Sequence, residues 1–386
     1  MNPINFGRHS IGAPDVEAVS RTLQGDFLTA GPCVKEFEQE LKNLTGAKYA
    51  VACSSGTAAL HLACLALEIH QGDWGLSSPL TFVASANCIE YCSGSVDFID
   101  IDSKTLCISP LALREYCENV RVPKVVIAVD FAGVPASTAE LFALSKEFNF
   151  KLVIDCAHSL GSSYLCKGQQ IQCGSCEHSD FSVFSFHPLK NITTGEGGAL
   201  LTNNQMLAER AQKFRSHGLE RDIRQMTNPD GPWCYELSSL GFNYRLTDFQ
   251  CALGISQLKQ LEKFKIQRRS LVEHYNNRLG TCENIILPTP SKDSFPCFHL
   301  YPIQLNGDSN LRLQVYNELE RRGIRTQVHY IPVHSQPYYR NKYGYGIGKC
   351  PAAELYYSRC LSLPLHVGLT IGDIDKVSDA LLEIVK

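Results

Sequence analysis

Lys190 stands where a lysine amine could form a covalent bond with a cofactor. An apolar, strand-like segment ends at Phe186, and the turn GEGG, which begins at Gly195, leads into a second apolar segment from Ala199 to Thr202. This order predicts a rigid strand-turn-strand unit with Lys190 at its mouth. A lysine amine, with an ordinary pKa of about 10.4, becomes a good nucleophile only when burial or a nearby cation lowers that pKa. Taken alone, Lys190 is more simply explained as a surface residue.

Asp155 is a second candidate because it ends the apolar segment KLVID, which begins at Lys151. Ligands of open α/β sheets bind at the carboxyl ends of the strands, and a carboxylate buried there needs a cationic partner. A protonated ring nitrogen would be such a partner, although a helix-capping or ion-paired aspartate explains Asp155 equally well. His158 could pack over the same ligand or be an ordinary hydrogen-bonded histidine.

The segment SSGTAAL, from Ser54 to Leu60, follows another strand-like segment and predicts a tight turn at Gly56 into a helix. The free N–H groups and the dipole of a helix N-terminus suit a phosphate, although many such turns are mere connections. Ser185, shortly before Lys190, offers a hydroxyl for the same phosphate. Together these residues present sites for a phosphate, a cationic ring nitrogen and an aldehyde. Those are the three functional groups of pyridoxal 5'-phosphate.

The elements that carry these residues predict an α/β fold. Apolar segments near positions 78, 96, 124 and 151 alternate with helical patterns, which is typical of a mostly parallel sheet covered on both faces. A chain of 386 residues also exceeds the size at which one core usually stops growing. We predict three parts: an N-terminal arm over the active site (1–30), a large cofactor-binding domain (31–246) and a smaller C-terminal α/β domain (247–386).

The C-terminal part has its own pattern of elements. We predict a long amphipathic helix from Thr247, in which the charged stretch from Lys259 to Arg269 is one solvated face, and then a strand in HLYPIQL. A helix from Leu311 to Arg322 and a strand in IRTQVHYIPV follow. The last helix starts at Thr370 with the Thr-x-x-Asp signature of a capping box.

Composition disfavours several classes of protein. The chain has 44% apolar residues, 19% charged residues and a formal net charge of -3, a composition typical of an ordinary soluble protein. We therefore expect it to bind neither nucleic acid nor an anionic membrane. No apolar run approaches the roughly 20 residues of a membrane span, and the first residues lack the pattern of a signal peptide. We therefore expect a cytoplasmic protein whose 17 cysteines are buried, reduced thiols.

Over nearly its whole length the chain resembles the DegT/DnrJ/StrS family of sugar aminotransferases, fold-type I enzymes that use pyridoxal phosphate. The resemblance lies in the segments LTAGP, SSGTAAL, SPLTFVASANCI, DCAHSLGSSY, FSFHPLKNITTGEGG, GFNYRLTDFQCALGISQL and RTQVHYIPVHSQPYY. It implies an obligate homodimer whose active sites are shared across the interface. A histidine in place of Lys190 would have indicated the dehydratase branch of the family, so the lysine favours transamination.

The resemblance also implies roles for individual residues. Lys190 would carry the cofactor as a covalent Schiff base and move the proton between cofactor and sugar, while Asp155 would keep the pyridine nitrogen protonated. His158, the third implied catalytic residue, would cover one face of the ring, and Phe82 would stack on the other. The implied phosphate ligands are Gly56, Thr57, Ala58, Ser185 and, for the neighbouring subunit's cofactor, Asn243. The implied substrate contacts are Leu28, Thr29, Tyr244, Arg245, His329 and Tyr330.

Within the family, SFHPLKNITTGEGGAL, GFNYRLTD and VHYIPVHSQPYY look most like the branch that acts in pseudaminic acid biosynthesis. That likeness implies transfer of an amino group from L-glutamate to C4 of a UDP-linked 4-keto-6-deoxy-N-acetylhexosamine. Aminotransferases of 4-amino-arabinose or perosamine precursors stay open as alternatives. A non-catalytic sensor of sugar nucleotides is a further alternative, which the presence of Lys190, Asp155 and Ser185 disfavours.

Two local alternatives concern an ion pair and a metal. Arg245 could bind a diphosphate through its planar guanidinium or form an ion pair with Asp248. A zinc site is suggested by Cys166, Cys173, Cys176 and His178. This group contains a single CxxC pair, in a segment expected to be a surface hairpin, so we predict no metal.

Overall fold

The computed structural model describes residues 3–385. Its helices are α1 (Ala13–Leu23), α2 (Pro32–Thr45), α3 (Gly56–Ala66), α4 (Ala84–Tyr91), α5 (Pro110–Asn119), α6 (Thr138–Phe148), α7 (Gln205–Arg215), α8 (Asp248–Leu258), α9 (Leu261–Leu279), α10 (Ser309–Arg321), α11 (Pro337–Tyr343), α12 (Pro351–Arg359) and α13 (Ile371–Ile384). Its strands are β1 (Tyr49–Cys53), β2 (Trp74–Ser77), β3 (Ser95–Phe98), β4 (Val125–Val129), β5 (Lys151–Asp155), β6 (Ser163–Cys166), β7 (Gln169–Gln172), β8 (Phe181–Ser185), β9 (Gly198–Thr202), β10 (Leu219–Glu220), β11 (Glu236–Leu237), β12 (Ile285–Ile286), β13 (Ser294–Phe295), β14 (Tyr301–Leu305) and β15 (Cys360–Leu363).

Seven strands form the central sheet, in the order β1-β9-β8-β5-β4-β2-β3. Neighbouring strands from β8 to β3 run parallel, and only β9 is antiparallel to the strands beside it. All five residues of β4 are buried, which requires cover on both faces of the sheet. The predicted α/β class and mostly parallel sheet are confirmed.

The reversed strand β9 brings its first residue to the ends of two other strands. Gly198 pairs with Cys53 at the end of β1 and with Ser185 at the end of β8. Asp155 ends β5, the parallel neighbour of β8, at the same edge of the sheet. A Cβ atom on Gly198 would lie 2.4 Å from the carbonyl group of Ser55, so only glycine fits here. The strand-turn-strand unit predicted from the sequence therefore opens at the carboxyl edge of the parallel strands.

A second, smaller core lies in the C-terminal part of the chain. Strands β12, β14 and β15 form an antiparallel sheet there, and α13 packs against α9 and α10. The buried side chains of this core run from Leu271 to Val385. Helix α8 instead contributes Cys251 and Ile255 to the core of the large sheet. The limits of the three predicted parts stay a prediction.

The N-terminal arm is tied to the C-terminal part by main-chain hydrogen bonds. The N–H group of Ile4 donates to the carbonyl of Gly323, and the carbonyl of Ile4 accepts from Arg325. Two residues further on, the carbonyl of Phe6 accepts from the N–H group of Leu365. These bonds fix the path of the arm before α1 begins.

The long helix predicted from Thr247 is wrong in its length. Thr247 caps α8 as expected, but α8 and α9 are separate helices with a turn between them. At this turn the side-chain amides of Gln257 and Gln260 donate to the carboxylate of Asp15, a fully buried residue of α1. The break between α8 and α9 therefore accompanies a contact with a distant residue. The sequence pattern around Thr247 gives no sign of that contact.

The stretch from Lys259 to Arg269 is not one solvated face, because Arg268 is only 3% exposed. Its Nη1 atom donates to three main-chain carbonyls, those of Phe298, His299 and Leu365. The guanidinium is thus buried between α9 and two segments of the C-terminal part. The expectation was wrong for this residue because the carbonyls that satisfy its guanidinium come from outside the helix.

The strand predicted in IRTQVHYIPV does not form. Ile324 makes a single-residue bridge to the N-terminal arm and Gln327 makes another to β15, which takes the place beside β14. Pro332 has no N–H group for a strand ladder. The segment leaves the small sheet, and the N–H group of Val333 donates to the carbonyl of Pro79, just after β2 of the central sheet.

Other expectations from the sequence are confirmed, except that four of the cysteines expected to be buried are only partly buried. Helix α10 forms, and Thr370 caps α13 in a capping box with Asp373. All 17 cysteines are free, and thirteen of them are buried. Within residues 3–385, none of the helices has the length and apolar character needed to cross a membrane.

Asp248, in the first turn of α8, holds the N-terminus of α2. Its fully buried carboxylate accepts hydrogen bonds from the N–H groups of Gly31 at 2.8 Å and Cys33 at 3.0 Å. Such donors in the first turn of a helix have no acceptor within the helix. Both oxygens of Asp248 are therefore engaged, and no ion pair with Arg245 occurs in the described part of the chain. The ion-pair explanation of Arg245 is wrong.

We expect Asp248→Ala to lower the free energy of unfolding by about 2–3 kcal/mol, because two partly buried N–H groups lose a charged acceptor. Asp248→Asn keeps one acceptor oxygen and should cost about 1 kcal/mol. Urea denaturation followed by circular dichroism measures both changes. The control Asp222→Ala removes a carboxylate from an exposed pair with Arg224 and should not move the midpoint. Equal midpoints for Asp248→Ala and the control would contradict this capping role.

Candidate active site

A cavity of about 430 Å³ opens at the carboxyl edge of the central sheet. It lies between the ends of β5 and β8, the N-terminus of α3, the segment before α4 and the turn before β9. Nine of the residues predicted from the sequence line it: Gly56, Thr57, Phe82, Asp155, His158, Ser185, Lys190, His329 and Tyr330. The structure therefore brings together residues that are more than 270 positions apart in the chain.

Asp155 presents a buried carboxylate at the end of β5. Its Oδ2 atom accepts from the hydroxyl of Ser85 at 2.7 Å, and its Oδ1 atom accepts from the N–H group of Ala157 at 3.0 Å. Burial raises the pKa of the Asp155 carboxyl, against the lowering effect of these two bonds and of the charge on Lys190. Each carboxylate oxygen keeps further acceptor capacity. The carboxylate can therefore still accept a bond from a cationic N–H group in the cavity.

Lys190 lies in the turn between β8 and β9, where its N–H group donates to the carbonyl of His187 at 2.8 Å. Its side chain is half-buried and lines the cavity. Burial lowers the pKa of the Lys190 amine to about 8, while the charge of Asp155 acts in the opposite direction. A substantial fraction of the amine is therefore unprotonated, and nucleophilic, slightly above neutral pH. This environment differs from that of an ordinary surface lysine.

Three histidines around Lys190 are neutral. The Nε2 atom of His158 lies 3.3 Å from the hydroxyl of Tyr330, and the ring of His299 lies beside His158 with 4.4 Å between the ring centroids. Burial lowers the pKa of both imidazoles well below its usual value, and the charge of Lys190 acts in the same direction. Burial also lowers the pKa of His329 to about 3. None of these rings supplies a cation to the cavity at neutral pH.

The N-terminus of α3 forms the end of the cavity that suits an anion. The N–H groups of Gly56 and Thr57 belong to its first turn and have no acceptor within the helix. A Cβ atom on Gly56 would lie 2.9 Å from the Cβ atom of Ser185, so glycine lets this serine approach the helix end. Ala58 does not line the cavity, and its N–H group donates to the hydroxyl of Ser55 at 3.0 Å. Ala58 thus serves the helix cap rather than presenting a free N–H group.

These groups fit pyridoxal phosphate. The cradle at Gly56 that a Cβ atom would fill suits the phosphate, the buried carboxylate of Asp155 suits a cationic ring nitrogen, and the amine of Lys190 suits the aldehyde. Phe82 also lines the cavity and is 59% exposed, which leaves an aromatic face free for stacking. His158 offers a neutral ring from the loop after β5.

Five other predicted residues lie outside this cavity: Leu28, Thr29, Asn243, Tyr244 and Arg245. Thr29 pairs with Thr247 at the start of α8. The hydroxyl of Tyr244 lies 3.2 Å from the Nδ1 atom of His61, and the exposed Asn243 pairs with Ser216. The roles of these five residues in binding cofactor or substrate stay predictions.

The residues of the zinc hypothesis lie around the hairpin of β6 and β7. The Nδ1 atom of His178 is 2.9 Å from the hydroxyl of Tyr164, and its Nε2 atom is 4.0 Å from the Sγ atom of Cys166. The thiol of Cys176 donates to the carbonyl of Leu201 at 3.1 Å. Across residues 3–385, no group of three or more histidine, cysteine, aspartate or glutamate side chains is arranged to hold a metal ion.

The sequence reasoning missed several residues of the site. Phe6, Thr81, His187, Glu196 and His299 line the cavity, and Ser85 contacts Asp155 from the first turn of α4. The signal for Thr81 and Ser85 was present in SPLTFVASANCI, where two hydroxyls stand four residues apart at the start of a helix. Phe6 and His299 gave no local signal, because they reach the cavity only through tertiary contacts.

Comparison with known proteins identifies relatives over the whole chain. The DegT/DnrJ/EryC1/StrS aminotransferase family matches residues 9–382. The spore coat polysaccharide biosynthesis protein SpsC of Bacillus subtilis is 35% identical over 379 residues, which are 97% of this chain and 95% of that protein. The UDP-4-amino-4,6-dideoxy-N-acetyl-beta-L-altrosamine transaminase of Campylobacter jejuni is 34% identical over 387 residues, with 99% of this chain and 98% of that protein covered.

Solved structures share the fold. PseC of Helicobacter pylori, an aminotransferase involved in the biosynthesis of pseudoaminic acid, matches with a TM-score of 0.90 at 27% identity and covers 100% of this chain and 99% of its own. The PLP form of the putative sugar aminotransferase Spr1654 of Streptococcus pneumoniae matches with a TM-score of 0.89 at 27% identity, covering 99% of this chain and 98% of its own.

These matches agree with the cavity, which carries the groups that pyridoxal phosphate requires. They confirm the aminotransferase activity, the cofactor and the fold type expected from the sequence. The chain therefore belongs to the DegT/DnrJ/EryC1/StrS aminotransferase family, and it is a sugar aminotransferase that uses pyridoxal phosphate.

Proposed function

We propose that the protein transfers an amino group from L-glutamate to C4 of a UDP-linked 4-keto-6-deoxy-N-acetylhexosamine, as a cytoplasmic step of pseudaminic acid biosynthesis. The observation that carries the proposal is the cavity that combines Lys190, Asp155 and the N-terminus of α3. The activity of the Campylobacter jejuni relative and the pathway of the Helicobacter pylori enzyme support the choice of substrate and pathway.

Lys190 is assigned to cofactor attachment and proton transfer. Pyridoxal phosphate supplies an electron sink when a bond next to the transferred amino group breaks. The pKa of the Lys190 amine, lowered by burial to about 8, lets this group release and accept a proton near neutral pH. One residue can therefore take a proton from one carbon atom and return it to another.

Asp155 is assigned to the ring nitrogen of the cofactor. A buried carboxylate favours a cation beside it, so it keeps the nitrogen protonated. The hydrogen bonds from Ser85 and Ala157 fix the orientation of the carboxylate. Phe82 and His158 are assigned to the two faces of the ring, and the neutral imidazole of His158 does not compete with the nitrogen for the charge of Asp155.

The anionic substrates need cations from outside the cavity of one chain. A nucleotide diphosphate and glutamate carry several negative charges, whereas no arginine of the described residues lines the cavity and the rings of His158, His299 and His329 are neutral. We therefore assign Arg245 to the active site of a second subunit in a homodimer, together with Leu28, Thr29, Asn243 and Tyr244. The exposed apolar side chains that support such an interface are Trp233, Tyr235, Leu237 and Leu240.

A different nucleotide sugar is the second candidate, as in aminotransferases of 4-amino-arabinose or perosamine precursors. The Bacillus subtilis relative, which acts in spore coat polysaccharide biosynthesis, is 35% identical to this chain, and the Campylobacter jejuni relative is 34% identical. The two relatives are thus equally similar, and identity alone does not choose the sugar.

A substrate panel tests the proposal. Purified holoenzyme is incubated with L-glutamate and 4-keto sugars linked to UDP, dTDP or GDP, and the products are identified by mass spectrometry. We expect the UDP-linked 4-keto-6-deoxy-N-acetylhexosamine to be aminated with a kcat/KM at least about tenfold above the others, because lost contacts to the nucleotide base cost at least that much. Preference for a dTDP- or GDP-linked sugar would show that the proposed substrate is wrong. If no sugar is aminated, the proposal is rejected.

Replacing the lysine tests its covalent role. We expect Lys190→Ala to lower kcat by about 10³-fold or more, because it removes the group that transfers the proton. Borohydride should fix the cofactor to the unmodified protein and leave none on Lys190→Ala, as measured by intact-protein mass spectrometry. The control Lys151→Ala removes an exposed lysine paired with Asp180 and should keep both activity and fixation. Cofactor fixed to Lys190→Ala would show that another residue forms the bond.

The pH dependence of cofactor capture tests the burial of the amine. The apoprotein should bind pyridoxal phosphate covalently at a rate that rises with pH and levels off above about 8, because only the unprotonated Lys190 amine reacts. In Asp155→Asn the inflection should move to lower pH, since the charge of Asp155 raises the pKa of Lys190. Stopped-flow absorbance measures both rates. An inflection near the ordinary lysine pKa of about 10.4 in both proteins would refute this environment.

A further inference from the structure

We propose that Thr81 and Ser85 are positioning residues, forming a hydrogen-bond relay that keeps the Asp155 carboxylate ionised and fixed in orientation. The proposal rests on the proposed function, in which Asp155 keeps the ring nitrogen of the cofactor protonated. Neither hydroxyl needs to touch a reacting atom to act in this way.

The relay consists of two short contacts in a buried region. The hydroxyl of Ser85, fully buried in the first turn of α4, donates to the Oδ2 atom of Asp155 at 2.7 Å. The hydroxyl of Thr81, which is 2% exposed, lies 2.8 Å from that of Ser85. Thr81 also lines the cavity. The relay thus runs from the wall of the cavity to the carboxylate.

Each hydroxyl has a single proton to donate, and this determines which group is the donor in each hydrogen bond of the relay. An ionised carboxylate can only accept, so Ser85 uses its single hydroxyl proton on Asp155. The oxygen of Ser85 is then the acceptor for the hydroxyl proton of Thr81. Successive hydrogen bonds in a region of low dielectric polarise one another, so the Thr81 hydroxyl strengthens the bond from Ser85 to Asp155.

Helix α4 does not use the Ser85 hydroxyl for its own stability. The N-cap position of α4 is Val83, and no side chain caps the helix there. The N–H group of Ser85 donates to the carbonyl of Phe82, so the main chain of Ser85 is satisfied independently of its hydroxyl. The hydroxyl therefore serves the carboxylate and not the helix.

Asp155 needs such donors because burial favours its protonated form. The hydrogen bond from Ser85 is the largest contribution that opposes burial, followed by the N–H group of Ala157 and the charge of Lys190. Lys190 loses its cationic charge when its amine is unprotonated. The two hydrogen bonds then remain as the groups that keep the carboxylate ionised.

The other titratable groups around Asp155 do not replace the relay. His158, on the same loop, is neutral because burial lowers its pKa well below the usual value. Tyr330 has its phenol pKa raised by burial and, further, by the charge of Asp155, so it stays protonated. Neither group brings a positive charge to the carboxylate.

Ser85→Ala in the holoenzyme tests the relay. We expect kcat to fall about tenfold, the equivalent of one hydrogen bond to a charged group. With ¹⁵N-labelled pyridine nitrogen in the cofactor, the NMR resonance should move from the position of a protonated nitrogen towards that of an unprotonated one. The control Ser145→Ala removes another buried helical hydroxyl, which donates to the carbonyl of Phe142 in α6. It should leave both the rate and the resonance unchanged.

A double-mutant cycle separates this role from a merely structural one. In the background of Asp155→Asn, adding Ser85→Ala should change kcat by less than about twofold, because contacting residues are coupled. Thr81→Val keeps the shape of the side chain but removes the hydroxyl. It should lower kcat by about two- to threefold, less than Ser85→Ala does, and should move the NMR resonance in the same direction.

The outcomes distinguish the relay from the proposed function. A further tenfold loss on adding Ser85→Ala to Asp155→Asn, or an unchanged resonance in Ser85→Ala, would overturn the relay while leaving the role of Asp155 intact. If Asp155→Asn itself keeps the ring nitrogen protonated and the rate unchanged, the assignment of Asp155 is wrong, and the relay is overturned with it.

Discussion

Burial of a carboxylate and an amine at one edge of a sheet is the constraint on which this active site depends. Removing the two groups from water raises the pKa of Asp155 and lowers that of Lys190, so that each favours its neutral form. Each charge partly opposes the shift of the other. The fold must therefore supply fixed donors to the carboxylate, and it does so through Ser85 and Ala157. Without them the pKa of Asp155 would rise further, and the carboxyl group would favour a cationic ligand less.

The backbone, more than the side chains, decides where these groups meet. Gly198 lets the reversed strand β9 approach the start of α3, and Gly56 lets Ser185 approach the same helix end. A Cβ atom at either position would collide with its neighbours. The anion site and Asp155 are thus fixed to strand ends of one sheet, whereas Lys190 extends from the turn between β8 and β9. This arrangement suits a ligand held rigidly at two points and covalently at a third.

The residues of this site that the sequence predicts are those whose positions follow from the local sequence pattern. Lys190, Asp155 and Gly56 follow apolar runs that end in turns, and such runs mark strand ends without any knowledge of distant contacts. The predictions that proved wrong depend on contacts between residues far apart in the chain. At the end of α8, two glutamines bind a carboxylate of α1 where the predicted helix from Thr247 breaks. The strand predicted in IRTQVHYIPV is lost because its segment crosses to the loop after β2 of the central sheet. Asp248 binds N–H groups more than 200 residues away instead of the neighbouring arginine.

The three neutral histidines and Lys190 affect one another's pKa values. Because the charge of Lys190 lowers the pKa of His158, His299 and His329, a proton on any of these rings would in turn lower the pKa of Lys190. Among Lys190 and these three rings, only the Lys190 amine exchanges protons near neutral pH, which supports its proposed role in proton transfer. An arginine permanently inside the cavity would disturb this balance in the same way. In the proposed dimer, Arg245 of a second subunit would meet the phosphates of the substrate, whose negative charge would oppose the effect of the arginine on the pKa of Lys190.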